Sequence, residues 1–312
     1  MNTSRLLITG AAGFIGGNLF SHFTSESYDT YGLDINTTIS SPIYNERLTQ
    51  CDVSKPAELA ATLLRLKPSV IIHCAAIKNL PACEDDKIQA FAVNTLSTES
   101  ICDYAKHSGA KVVYLSSDVV FDGKVGNYSP GDKLNPINWY GKTKAFSETI
   151  LASLPNAAIC RTALVIGSLN KEYSKLLASE LDQPLLVNQT LLPQYIYRRL
   201  GRGLAVHLPT SIISNPTPVE LLCEIVEAVI KSDASGVFHT TGPDAIARYD
   251  TGLLVAKLFG FDQSLVVADD ANISPLRPRN ISMNTDDSFR QLGIDPKKWS
   301  LAEYLSRQEL YV

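Results

Sequence analysis

The sequence predicts an α/β fold: a doubly wound parallel sheet with a smaller, partly interleaved C-terminal lobe. Three observations carry that expectation. Short apolar runs alternate with longer segments of helical period through the first half of the chain, as in successive βαβ units. A turn holding Gly10, Gly13 and Gly16 joins the first run to the first periodic segment. Beyond about Gly167 the pattern breaks into short pieces at Pro184, Pro193, Pro209, Pro216 and Pro218.

Taken in order, the strands are expected at Arg5–Thr9, Thr30–Asp34, Leu48–Val53, Val70–Cys74, Lys111–Ser116 and Ala157–Ala163, each a short run of β-forming residues. The intervening periodic segments predict helices over Gly13–Ser25, Lys55–Leu66, Ala90–His107 and Tyr140–Ser153. Residues 1–166 therefore form the first domain. A later stretch of about 204–240 is expected to return to it, through a helix across Pro218–Lys231 and a strand at Gly236–Thr240. The remainder of 167–312 forms the second lobe, with a turn at Leu292-Gly293 and a short amphipathic helix from Leu301. In such sheets ligands bind at the carboxyl ends of the strands, so chemistry is sought in the residues that follow each strand.

Composition narrows the partners. The 312 residues are 45% apolar, enough for a substantial core. A net charge of -4, a pI near 5.8 and no dense Lys/Arg run argue against a nucleic-acid or membrane-surface binder. Small molecules or proteins are the expected partners. No apolar run reaches membrane-span length, and Met1-Asn-Thr-Ser-Arg5 shows no signal-peptide pattern, so a cytoplasmic location is expected. Cys51, Cys74, Cys83, Cys102, Cys160 and Cys223 lack metal or disulfide spacing and read as free core thiols. His22, His73, His107, His207 and His239 show no ligand spacing either, and no metal is expected.

The residues after the strands form a cofactor constellation. Thr9-Gly10-Ala11-Ala12-Gly13-Phe14-Ile15-Gly16 opens the first helix from the end of the first strand, the context a dinucleotide turn requires. Gly10 allows the turn, Gly13 lets the backbone approach a pyrophosphate and Gly16 permits close packing of helix on sheet. The helix N-terminus favours the anion. Asp34, followed by Ile35, ends the second strand where a carboxylate meets adenosine ribose hydroxyls and repels a 2′-phosphate. The sheet is thus read as a Rossmann sheet binding NAD ahead of NADP. Asp52 and Val53 either contact adenine or form a capping turn before Lys55, and Cys74-Ala75-Ala76 leaves room for a flat cofactor or simply packs.

Tyr140 and Lys144 stand one helical turn apart, so both can address one bound molecule. Free tyrosine titrates near pH 10, and work at neutral pH calls for a depression of about 3 units, roughly 4 kcal/mol of charge stabilisation. A neighbouring ammonium is expected to supply much of it.

The glycine turn, Asp34, Ala75-Ala76, Asn94, Ser116-Ser117 and Tyr140-x-x-x-Lys144 together resemble the extended short-chain dehydrogenase/reductases. Within them, Ser116-Ser-Asp-Val-Val-Phe-Asp-Gly123, Asn135-Pro136, Arg277-Pro278, Asn284-Thr-Asp286 and Trp299 resemble the dTDP-4-dehydrorhamnose reductase group. The chain departs from that group at Leu164, where the group carries tryptophan, and in the basic, aromatic stretch Asn188–Arg199. The loop from Ala75 to Glu84 is more similar to that of nucleotide-sugar 4,6-dehydratases that invert C5.

The resemblance implies an NAD(P)-dependent reductase of a 4-keto nucleotide sugar. In it Tyr140 is the general acid, Ser117 holds the reacting oxygen, and Lys144 stabilises the tyrosinate and binds the nicotinamide ribose. Asn94 is placed with the cofactor residues. Asp118 either orients Ser117 or a substrate hydroxyl or caps a turn, and Lys78 either meets substrate or is a solvated loop residue. Arg198 and Arg199 are candidates for the diphosphate, with a surface loop or subunit contact as the alternative, and Arg277 falls in a matched signature. Two further readings stay open: an epimerase or dehydratase that retains its NAD, and a non-catalytic NAD-binding regulatory subunit like that of methionine adenosyltransferase. Homodimers paired through four helices are common in this fold class.

Overall fold

The computed structural model describes residues 5–26, 28–37, 45–167 and 191–307. The chain divides into two compact units, the first made of Met1–Val120, Leu134–Arg161 and Cys223–Phe238, the second of Phe121–Lys133, Thr162–Leu222 and His239–Val312.

In the first unit, β1 (Arg5–Thr9), β2 (Asp29–Asp34), β3 (Leu48–Gln50), β4 (Val70–His73), β5 (Lys111–Ser117) and β6 (Ala158–Thr162) join the strand Gly236–His239 in one mostly parallel, seven-stranded sheet. Its order, from Gly236–His239 through β6, β5, β4, β1 and β2 to β3, reverses direction between β1 and β4. That reversal is the switch point at which such sheets open a crevice. Register aligns the carboxyl ends there: Thr9 pairs with Leu33 and His73, and His73 with Tyr114.

The helices are α1 (Phe14–Ser25), α2 (Pro56–Leu66), α3 (Leu80–Asp85), α4 (Lys87–Phe91), α5 (Ser97–Ser108) and α6 (Trp139–Leu151). Leu59, Leu63 and Leu66 of α2 and Ile101, Cys102 and Ala105 of α5 bury their apolar stripes against Leu7, Leu33, Ile71, Val112 and Tyr114 of the sheet. Local chemistry sets the ends. Pro56 opens α2 where its missing N–H costs nothing, Lys67 closes it in the left-handed region, and Asn138 caps α6 by accepting from the Gly141 N–H at 2.7 Å.

Most boundaries fall within two residues of expectation, and three differences are larger. β3 stops at Gln50 rather than Val53, because the Asp52 carboxylate turns the chain by accepting from Ser54 N and Oγ at 3.0 and 2.7 Å. The helix expected over Ala90–His107 begins earlier, where Asp86 caps the Gln89 N–H, and is interrupted by a π-helical turn at Ala92–Leu96 between α4 and α5. Of the stretch expected to rejoin the sheet, Cys223–Phe238 does so, while Val206–Leu208 pairs in parallel with Val266–Ala268 in the second unit.

The second unit has two further strand pairs, Val165–Ile166 with Thr217–Pro218 and Ile213–Ser214 with Ile246–Ala247. Helices Leu192–Gly201 and Arg248–Phe259 bury Ile196, Leu200, Val255 and Ala256, and Tyr197 meets Phe259 and Phe261 edge-on. Of the basic, aromatic stretch, residues 188–190 lie outside the described residues and the rest is this first helix. Pro193 sits in its first turn, where proline is tolerated rather than disruptive. All six cysteines are free thiols, five of them buried. Among the described residues, no helix is long and apolar enough to cross a membrane.

Candidate active site

The glycine turn forms a cradle that side chains would fill. Gly10 has φ +68°, and a Cβ on it would lie 2.9 Å from the Ala75 backbone at the end of β4. A Cβ on Gly16 would lie 2.0 Å from the Gly10 carbonyl oxygen. Helix α1 opens on Gly13 with no capping side chain, so no side chain of the cap takes up its first N–H groups, those of Phe14 and Ile15 among them. Asp34 braces the turn: its Oδ2 accepts from Ala12 N at 2.9 Å and its Oδ1 from Asn36 N at 3.0 Å, beside an exposed Ile35. Backbone donors at a helix start, no obstructing Cβ and a carboxylate at the β2 end fit a nicotinamide dinucleotide. The Asp52 carboxylate is engaged by Ser54 and stands 3.7 Å from Lys55 Nζ, and Val53 is packed into the core. These bonds shape the turn that leads into Lys55, the N-cap of α2.

Thr9 and His73 tie the β1 and β4 ends together, a role the sequence reading did not assign. Thr9 Oγ1 accepts from Cys74 N and Ala75 N at 3.2 Å and lies 2.7 Å from His73 Nδ1. Ser97 Oγ donates to the Val93 carbonyl, so it accepts from His73 Nε2 at 3.1 Å and leaves Nδ1 to accept the Thr9 proton. The imidazole is neutral: burial first, then the Lys144 ammonium, lowers its pKa to about 3. Between pH 6.5 and 3 the unfolded chain takes up a proton that the folded chain refuses, so this group's contribution falls as pH falls. By pH 5 the loss is about 2 kcal/mol. Urea unfolding at pH 7 and pH 5 measures it, and His73→Asn is expected to flatten the difference.

At the β5 end, buried Ser117 donates from Oγ to Asp118 Oδ1 at 3.0 Å and accepts from Val119 N at 3.4 Å. Tyr140 and Lys144 lie on α6, whose close approach to Val119 is permitted by Gly141: a Cβ there would lie 2.3 Å from the Val119 oxygen. Part of Tyr140 reaches solvent, yet the protein around its hydroxyl raises the phenol above its ordinary value. The Asp118 carboxylate adds to that rise, and a hydrogen bond with Ser117 works against it. This corrects the expected depression by Lys144. Lys144 Nζ instead lies 4.2 Å from the centre of the Tyr114 ring, and burial lowers its pKa to about 8. Tyr140 is therefore fully protonated at neutral pH, the form a proton donor needs.

Asn94 sits in the π-helical turn with its amide directed into the protein. Oδ1 accepts from Ile77 N at 2.8 Å, and Nδ2 donates to the Ile77 carbonyl and to Thr143 Oγ1, each at 3.0 Å. Thr143 in turn donates to the Tyr140 carbonyl at 2.7 Å. Asn94 thus links the loop after β4 to the helix of Tyr140, and both ends of its amide are engaged by protein. Its place among cofactor contacts rests on the resemblance. Thr143, which no motif singled out, was legible only as the hydroxyl inside Tyr140-x-x-x-Lys144. Lys78 is exposed on the same loop, where surrounding protein lowers its pKa.

Arg198, Arg199 and Arg277 belong to the second unit. Arg199 donates from Nε to the Ala205 carbonyl at 3.0 Å and sits 5.9 Å from the Tyr195 ring centre, closing the end of helix Leu192–Gly201. Arg198 is on the same helical turn, partly exposed, and Arg277 follows a turn in which its N–H donates to the Ser274 carbonyl at 3.0 Å.

A family model described as the RmlD substrate binding domain matches residues 4–188. The chain belongs to that family. Among its similar proteins is methionine adenosyltransferase 2 subunit beta of Bos taurus, 25% identical over 293 residues, covering 93% of this chain and 83% of the relative. Another is dTDP-4-dehydrorhamnose reductase of Aggregatibacter actinomycetemcomitans, 24% identical over 321 residues, covering 96% and 97%. The crystal structure of dTDP-4-dehydrorhamnose reductase from Bacillus anthracis in complex with NADP superposes with a TM-score of 0.76 at 21% identity, over 95% of this chain and 94% of that one. At that identity the superposition speaks for the fold, which is that of the extended short-chain dehydrogenase/reductases.

Proposed function

We propose that this member of the RmlD substrate-binding family is an NAD(P)-dependent reductase of a 4-keto nucleotide sugar. One observation carries the reading: the glycine cradle, Ser117 at the β5 end, and Tyr140 with Lys144 on α6 all belong to one compact unit at the carboxyl ends of its strands. A nicotinamide held at the cradle would supply the hydride. Tyr140 gives its phenolic proton to the oxygen of the carbonyl being reduced, and its raised pKa keeps that proton in place until negative charge develops there. Ser117 holds the oxygen by turning its hydroxyl from Asp118 toward it. Lys144 stabilises the tyrosinate that remains. Lys78, Asp118, Arg198, Arg199 and Arg277 are assigned to the substrate, the guanidinium groups to its diphosphate.

The Asp34 carboxylate at the adenosine end supports NAD ahead of NADP. A cytoplasmic location and a homodimer accompany the same reading. The test is a panel of 4-keto nucleotide sugars with NADH and NADPH in parallel, followed by nicotinamide absorbance. Oxidation of NADH on one of them, faster than of NADPH, is expected. Cofactor binding without turnover on any, together with co-purification of a catalytic partner, would instead favour a regulatory subunit, the reading that the similarity to methionine adenosyltransferase 2 subunit beta supports.

A further inference from the structure

Beside the residues just assigned lies a buried ion pair that the proposed chemistry does not use. Glu148 follows Lys144 by four residues on α6, so Tyr140, Lys144 and Glu148 occupy successive turns of one helical face. Two other elements hold its carboxylate. Arg161 of β6 donates from Nε to Oε1 and Oε2 at 3.1 and 3.2 Å and from Nη2 to Oε2 at 2.7 Å, and Ser116 of β5 donates from Oγ to Oε1 at 2.5 Å. The Arg161 and Glu148 side chains are only 4% and 5% exposed. Desolvation offsets much of the attraction in such a pair, so it adds little stability over apolar packing of the same shape. What it does add is fixed geometry and a fixed charge.

We propose that Glu148 is a positioning residue for the reacting helix, a reading that rests on the roles given to Tyr140 and Lys144. It locks Ser116, and with it the adjoining Ser117, to α6, and it supplies the counter-charge that keeps Lys144 an ammonium. The titratable and charged groups around Lys144 are His73 and Cys74 from the β4 end, Tyr114 from β5, Tyr140 and Glu148 from its own helix, and behind Glu148 the Arg161 guanidinium of β6. His73 is neutral, and burial raises the Cys74 thiol far above its ordinary value, so it too is uncharged. The Tyr114 phenol is likewise raised by burial. Glu148 is the one carboxylate in that set. Lys144 is buried and titrates at about 8 with this charge present; without it the ammonium loses its proton at lower pH.

The test follows the Lys144 side chain directly, by NMR of protein carrying 13Cε-labelled lysine, with the resonance assigned from Lys144→Met. In Glu148→Gln the Lys144 titration is expected to move down by about one unit or more, and the basic limb of the kcat profile to move with it. An unmoved titration overturns the proposal. If Glu148→Gln does not fold, Arg161→Gln takes its place: it leaves the Glu148 carboxylate without its guanidinium, the Lys144 titration is expected to move up, and an unmoved titration overturns the proposal. Because the titration needs no substrate, a shifted Lys144 in a protein without turnover separates this proposal from the reductase reading.

Discussion

Replacing Tyr140 with phenylalanine is expected to lower kcat by about 10²- to 10⁴-fold, the usual range for removing a positioned general acid. The substitution takes away one hydroxyl and leaves the ring, so the packing of α6 against Val119 through Gly141 is retained. The hydroxyl's partners in the structure are on the β5 side, Ser117 and Asp118, rather than in the glycine turn. NADH affinity is therefore expected to stay within about three-fold, since a loss of 1.4 kcal/mol would be needed for ten-fold. Stopped-flow turnover and NADH fluorescence titration on the same preparation separate the two quantities. Equal loss in both would place Tyr140 in cofactor binding; unchanged turnover would remove it from the chemistry.

The second large effect is expected at Gly16. A Cβ there falls 2.0 Å from the Gly10 oxygen, 2.7 Å from the Gly10 carbonyl carbon and 3.0 Å from Ala11 Cα. These are backbone atoms of the turn itself, with no flexible side chain to give way. Gly16→Ala must push the turn off helix α1, which disturbs both the packing and the N–H groups assigned to the pyrophosphate. A stability loss of about 1–3 kcal/mol is expected from the overpacking, with NADH binding weakened by about ten-fold or more, since misdirected donors lose their charge-assisted bonds. Gly131→Ala is the control. Nothing lies within 4 Å of a Cβ at that position, and a change within about 0.5 kcal/mol is expected. Thermal melting with and without NADH reads both variants.

The parts of the fold that follow one-dimensional rules were legible in the sequence. β1 runs Arg5–Thr9 as expected, and α1 and α2 begin one residue later than expected because Gly13 and Lys55 are their N-caps. Tyr140 and Lys144 share a helix because their spacing matches its period. What escaped depends on neighbours distant in the chain. The spacing placed an ammonium near a phenol, but only the position of Tyr114 on β5 shows the ammonium over that ring. For Asn94 the bonds to Ile77 and Thr143 depend on the π-helical turn, which no sequence pattern shows. Glu148 was readable as the third member of the Tyr140 face; that Arg161 meets it depends on β6. In sequence Pro193 reads as a breaker, although in a first turn proline starts a helix as readily as it ends one.

A reductase transfers hydride to its sugar, whereas a regulatory subunit merely holds the dinucleotide. The most direct measurement supplies NADH deuterated at both C4 positions of the nicotinamide together with a 4-keto nucleotide sugar, and follows the sugar by mass spectrometry and NMR. Hydride transfer leaves one deuterium at the former carbonyl carbon for each NAD formed, appearing about 10²-fold or more slowly with Tyr140→Phe. NADH that binds and is recovered with its deuterium intact, across the full panel of 4-keto sugars, would contradict it.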